Sequence, residues 1–319
     1  MKNKRPLIYL LTALAFAIIV LAIENPYSSR VNDVPDQTFY PGFDSAQVKS
    51  VKVTQLLDGA KLMRDGDRWL VREISTPIKK ELLLKEGRED RQSKWLRADR
   101  IRVNSALGGF GGLPQGVMVS DNMDRRSLYQ VEATGLRVQL IGDDDKPIAD
   151  VIIGKNGPDL ASSYIRKADE DEVYLVRRSL AGLFTPIASD WRERKIWVIN
   201  PDDITAIDVR SYKGSFTAAR DKDGKWKDVD EEEMKSLLIK VSDIRAKGFP
   251  IDPDIKLACE PEFILTLKRS NGEDLELTVY CANSKELYPA KLKGVDEIYY
   301  LSHDFVASIP ISAPKSTDN

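Results

Sequence analysis

Two short stretches carry the same pattern of apolar positions. In "VKSVKV" (48–53) they are Val48, Val51 and Val53, and in "ITAIDV" (204–209) they are Ile204, Ile207 and Val209. Alternation at Val51/Val53 and at Ile207/Val209 is the period-two signature of a half-buried strand. Each stretch is followed by an Asp-Gly shortly before a Trp, in "RDGDRWLV" (64–71) and "KDGKWKDV" (222–229). Asp-Gly marks a tight turn, because Gly accepts the positive φ that a hairpin requires. One constant offset relates the three apolar pairs, and Trp69 and Trp226 lie one residue further apart.

The echo continues along the chain. "LRVQLIGDDDKPIADVIIG" (136–154) and "FILTLKRSNGEDLELTVYC" (263–281) both read as strand, polar turn, strand. "EVYLV" (172–176) then matches "EIYYL" (297–301), and each is followed by a short amphipathic segment, "RRSLAGLF" (177–184) or "SHDFVASI" (302–309). Between the two hairpins of the second half lies a clear helix signal. Asp230 is the N-cap, acids fill the first turn, and Met234, Leu237, Leu238 and Val241 follow at i, i+3, i+4 and i+7. The counterpart in the first half is "ADRIRVNSALGGFGGL" (98–113), capped by Asp99, where each glycine weakens the helix by about 1 kcal/mol relative to Ala.

These patterns predict an α+β fold built mostly of antiparallel sheet. It would hold two tandem copies of a hairpin–helix–hairpin–strand unit, at 43–190 and 191–309. The first copy carries an insertion, "PIKKELLLKEGREDRQSKWLR" (77–97), which reads as an extra strand followed by a solvated helix. The tail, 310–319, reads as disordered.

The N-terminus has a different pattern. Lys2, Lys4 and Arg5 precede an uncharged, mostly apolar run from Leu7 to Ile23, and Glu24 follows it. Such a run is at the short end of the roughly 17–25 residues that cross a bilayer as a helix. The basic flank keeps the N-terminus in the cytoplasm and places the remainder outside. A cleaved signal peptide ending near Val20-Leu21-Ala22 is the competing reading. No Cys follows the run, so a lipoprotein anchor is excluded. Residues 24–42 read as a linker. Together these expectations describe a single-pass protein of a bacterial inner membrane whose bulk lies in the periplasm.

Composition narrows the function. The 319 residues are 42% hydrophobic and 31% charged, so the chain can bury real cores. Lys+Arg is 48 against Asp+Glu 50, a net charge of -2, which argues against a nucleic-acid-binding surface. The one histidine, His303, stands without the partners that acid–base or metal chemistry needs, and reads as structural or surface. "GGFGG" (108–112) and "IIGKNG" (152–157) lack the Gly-Lys-Ser/Thr ending of a phosphate loop. "DDD" (143–145) and "ADEDE" (168–172) lack the ligand spacing of a calcium loop and read as hairpin tips. No nucleophile elbow occurs. The sequence therefore nominates no catalytic, cofactor or metal residue and reads as non-enzymatic.

Two sets of residues remain. Cys259 and Cys281 flank the last long hairpin nearly opposite each other, and outside the cytoplasm such a pair can form a disulfide, against the alternative of two small core residues. Tyr164, Tyr174, Tyr288, Tyr299 and Tyr300 recur at matching places in the two halves. They read either as an aromatic surface for sugar or peptide or as sheet packing.

The order of these motifs resembles a bacterial family, domain of unknown function 4340. The resemblance rests on the anchor, the "V..I.V" strand, the Gly-x-x-Trp hairpin, "VIIGK" (151–155), "SYIRKADEDEVYLV" (163–176) and the junction "WRERKIWVINPDDITAIDV" (191–209). The 77–97 insertion and the "GGFGG" run depart from its pattern. Members of that family resemble envelope accessories of ABC-type transporters of the gliding-motility kind. The resemblance thus implies a membrane-anchored interaction protein with a protein partner in the same membrane, and it carries over no site residue. An envelope glycan- or peptide-binding module and an envelope hydrolase stay open as alternatives.

Overall fold

A computed structural model describes residues 38–311, apart from 91–92, 144, 181, 228, 252–254, 256, 258 and 284, and also describes residues 14–15. Leu14 and Ala15 are helical. The rest of the expected anchor, the linker up to Gln37 and the tail from residue 312 lie outside the described residues. No helix among the described residues is long and apolar enough to cross a membrane.

The chain folds as mostly antiparallel sheet with few helices, an α+β arrangement. Two large sheets dominate. The first has nine strands in the order β4-β3-β2-β1-β6-β7-β8-β9-β5. Its strands are β1 (Ser50–Gln55), β2 (Asp58–Asp65), β3 (Arg68–Glu73), β4 (Leu96–Arg97), β5 (Val117–Ser120), β6 (Leu136–Ile141), β7 (Pro147–Asn156), β8 (Ser163–Lys167) and β9 (Val173–Val176). The second has six strands in the order β12-β11-β14-β15-β16-β17. These are β11 (Ile204–Ser211), β12 (Gly214–Ala219), β14 (Pro261–Arg269), β15 (Leu275–Tyr280), β16 (Tyr288–Leu292) and β17 (Ile298–Leu301). A small pair, β10 (Lys195–Val198) and β13 (Asp243–Arg245), lies between them in sequence.

Alternation decides which face of each strand is dry. Val51 and Val53 are buried and sit opposite Leu62 and Ala60 on one side and Leu140 and Val138 on the other. Helix α2 (Arg100–Gly111) covers this face with Val103, Ala106, Leu107 and Phe110. Gly109 faces Leu183 so closely that a Cβ there would lie 3.0 Å from its Cδ1, which gives the "GGFGG" run a packing role. Gly154 is tighter still, since a Cβ would stand 2.1 Å from the Tyr129 carbonyl oxygen. The second sheet buries Ile207, Val209, Leu265, Leu277 and Val279 beneath Met234, Leu237, Leu238 and Val241 of α4 (Glu231–Ser242). Both helix starts are capped by the aspartates read from sequence. Asp99 accepts from the Ile101 and Arg102 amides, and Asp230 from Glu233.

The insertion folds in the reverse of the expected order. Helix α1 (Pro77–Lys85) comes first and the two-residue strand β4 follows it. Thr76 caps α1 by accepting from the Lys79 amide, and Pro77 occupies the first turn, where its missing N–H costs nothing. α1 buries none of its residues. The Trp hairpins also differ. Trp69 lies within β3 and pairs with Arg64, whereas Trp226 makes only an isolated bridge to Arg220. A one-turn helix, α3 (Arg126–Tyr129), follows β5, and of the two trailing amphipathic segments only the second forms a helix, α5 (His303–Ala307).

Candidate functional site

The face of the first sheet opposite α2 is the polar parity of the same strands, and it carries a row of cations. Lys52 on β1 pairs in register with Lys61 on β2, and Lys61 pairs with Arg72 on β3. Like charges directly opposite each other on a sheet repel. Above this row α1 and the segment after it arch over a cavity of about 910 Å³, within the usual range for a small-molecule site. Lys79, Lys80 and Arg88 add to its cationic lining, and Glu73, Glu89 and Asp90 are its acids. Glu73 is engaged by Lys79, and Asp90 takes Lys80 at 3.7 Å and the Ser75 hydroxyl at 2.5 Å. The Arg72 guanidinium lies 4.5 Å from the Trp95 ring centroid. Among the described residues neither Lys52 nor Lys61 forms an ion pair. On the next strands of the row, Asp150 is committed elsewhere, holding Arg137 at 2.7 and 2.9 Å and Gln139 at 2.9 Å. Burial, then Arg137, then Lys61 hold the Lys52 ammonium below its ordinary pKa. Ile74 and Leu83 give the cavity an apolar portion.

The residues singled out from sequence do not gather here, and among the described residues only Cys259 with Cys281 and Tyr288 with His303 are brought together. The sulfurs of Cys259 and Cys281 are bonded, tying the chain ahead of β14 to the chain beyond β15. Tyr299 is fully buried in the second core, so it belongs to no exposed aromatic surface. Tyr164 and Tyr174 lie on opposite faces of the first sheet. Tyr164 stacks on Tyr129 at 4.8 Å, whereas Tyr174 meets Phe39 edge-on at 5.4 Å in the main core. Tyr288 and Tyr300 are half-buried on the second sheet. Tyr288 shares a hydrogen bond of 3.3 Å with Nδ1 of His303, which is exposed at the start of α5. The acidic "ADEDE" tip is organised by a buried arginine that sequence reasoning missed. Arg166 donates to the carbonyls of Lys167, Ala168 and Glu170, and its Nε donates to Val131. No group of three or more His, Cys, Asp or Glu among the described residues could hold a metal.

Comparison with protein families adds one finding. The family model "Domain of unknown function (DUF4340)" matches residues 91–262, more than half of the chain. The chain belongs to the DUF4340 family. No curated protein and no solved structure matches it. The DUF4340 match opens just beyond α1 and closes within β14. Lys52, Lys61 and Arg72 therefore precede it.

Where the DUF4340 match begins, β4 meets the second sheet through a network that spans the chain. Arg97 donates to Glu297 at 3.4 Å and to the Tyr299 hydroxyl, and Arg192 donates to the other oxygen of Glu297 at 3.2 Å. The Arg192 guanidinium is buried 3.6 Å from the Phe249 ring centroid. Burial pushes Arg192 below its ordinary pKa, with Glu297 opposing. Burial also works against the Arg97 charge, but Tyr299 and Glu297 outweigh it and hold that guanidinium above its ordinary value. Burial raises the Tyr299 phenol as well. This network reads as structural, since Glu297 takes both guanidiniums and Tyr299 takes Arg97, although the buried Nε of Arg192 has no hydrogen-bond partner among the described residues.

Proposed function

We propose that the chain is a membrane-anchored, non-enzymatic interaction module working outside the cytoplasm, with a protein partner in the same membrane. The partner class, an ABC-type transporter complex, follows from the family resemblance. The Cys259–Cys281 bond supports the location, because such bonds persist in oxidising compartments. The basic-then-apolar N-terminus supports the anchor. The observation that carries the contact reading is the edge segment 117–128. β5 ends the nine-stranded sheet, and Val117, Met118, Met123 and Leu128 are all exposed within this one stretch. An edge strand beside exposed apolar side chains is a surface that partner chains use.

We also infer that the two sheets are copies of one unit. Their strand orders support this, since β2-β1-β6-β7-β8-β9 has the same rank order as β12-β11-β14-β15-β16-β17. The burial of Tyr299 and the separation of Tyr164 from Tyr174 weigh against the aromatic surface of the glycan- or peptide-binding alternative.

Crosslinking and mass spectrometry on the full-length protein, purified in mild detergent, tests the reading. Transporter subunits should co-purify in stable ratio, with crosslinks through 117–128. A protein that purifies alone under these conditions would overturn it.

A further inference from the structure

We propose that the trough between the outer face of β1–β3 and α1 is a binding site for a small phosphate-bearing polyanion, seated on Lys52 and Lys61. This inference is independent of the partner reading above. The case begins with parity. Lys52 lies between Val51 and Val53, and Lys61 between Ala60 and Leu62, so burial of those neighbours forces both lysines to the opposite face. The register then sets them side by side, with Arg72 next in the row. A surface with no ligand gains nothing from this placement, because each lysine repels the other. Elsewhere in the cavity cations have local acids: Lys79 has Glu73 and Lys80 has Asp90. The two central lysines form no ion pair among the described residues; the nearest acid on their row, Asp150, acts on Lys52 only through space and is held by Arg137 and Gln139.

The excess positive charge is thus concentrated at the floor of a trough that is open to solvent on one side. Its cause is the sheet register, so it does not depend on chance surface side chains. Lysine suits phosphate as a compact point charge, whereas a carboxylate is better met by a planar arginine fork. The volume of about 910 Å³ admits more than one phosphate, and Ile74 and Leu83 can pack an apolar part of the ligand. Two sources share this chemistry: a soluble phosphorylated compound and the headgroup of an anionic phospholipid. The depressed Lys52 pKa fits the same picture, because a bound anion would relieve the repulsion behind part of it.

The test is titration calorimetry on the full-length chain in non-ionic detergent at fixed ionic strength, with inorganic tripolyphosphate as the probe. One-to-one binding is expected. Lys52→Gln and Lys61→Gln should each weaken it by roughly tenfold, because each removes a charge-assisted contact. Lys268→Gln, an exposed lysine on the second sheet, should leave it unchanged. Melting curves verify that all three variants fold. The proposal is overturned if tripolyphosphate fails to bind, or if Lys268→Gln weakens binding as much as the trough variants do. Soluble dihexanoyl phosphatidylglycerol, added as competitor with dihexanoyl phosphatidylcholine as control, separates the sources. Selective displacement supports the lipid headgroup at this site, and retention of tripolyphosphate supports the soluble one.

Discussion

At the scale of single residues, the chain keeps a charge where charge is unfavourable. Lys52 is half-buried, faces Lys61 across the strand pair, and has its pKa held down by burial, Arg137 and Lys61. The folded state therefore holds this proton less tightly than the unfolded chain does. Stability should rise with pH as Lys52 deprotonates, up to the unfolded lysine value near 10.4. Below that window both states are protonated and the penalty is fully present. Lys52→Gln should therefore raise neutral-pH stability slightly, by roughly 0.3 kcal/mol because water screens a side chain this exposed, and the gain should shrink as pH approaches that of free lysine. Denaturant melts at pH 7 and pH 10 provide the comparison. Added salt should narrow the difference by screening the repulsion. A loss of stability in Lys52→Gln at pH 7 would contradict this account. The cations of the row were legible one by one, as the polar partners of core valines and leucines. Their adjacency was not, because it depends on a register between residues far apart in sequence.

At the scale of elements, local signals translated well. Asp99 and Asp230 cap helices because capping is settled within one turn, and the alternation at 48–53 and 204–209 fixed which face of each strand is dry. The insertion differs from the expected strand because "ELLLK", though an apolar run, lies within a helix. The Thr76-Pro77 pair, a cap followed by a proline in the first turn, was the signal for a helix start there. The resulting helix is tethered at its cap and by salt bridges and has no buried side chain. α1 should accordingly open more readily than α4, whose Met234, Leu237, Leu238 and Val241 are buried. Hydrogen exchange by mass spectrometry should show amides of 77–85 exchanging well ahead of those of 231–242, and equal protection would refute the argument. The disulfide acts at the same scale. It spans a sequence separation of 22 residues around the β14–β15 hairpin, so Cys259→Ser with Cys281→Ser should cost about 3 kcal/mol by the loop-entropy argument. A reduced and an oxidised sample with equal unfolding midpoints would show that the bond adds no stability.

At the scale of the whole molecule, Glu297 joins segments that lie far apart in sequence. It accepts from Arg97, 200 residues earlier, and from Arg192, 105 residues earlier, while Tyr299 takes the remaining Arg97 contact. No pattern in the chain announces this, because charge pairs at such separation leave no periodic mark. Removing one partner of a buried ion network is costlier than never building it, since the others stay desolvated. Glu297→Ala leaves Arg192 buried against Phe249 without its carboxylate, and should cost about 3–5 kcal/mol. The consequence depends on where that energy resides. The first core runs from Phe39 to Trp191 and the second from Ile196 to Ile309, and the network lies across the junction. Its loss should therefore uncouple the two melts, so that calorimetry of Glu297→Ala shows two transitions where the wild-type chain shows one. A double variant, Arg192→Met with Glu297→Leu, removes both charges and should restore most of the stability and the single transition. If Glu297→Ala still unfolds in one step at an unchanged midpoint, the network does not couple the sheets, and the backbone contacts of Asp99 with Trp191 and of Glu193 with Arg97 hold the junction instead.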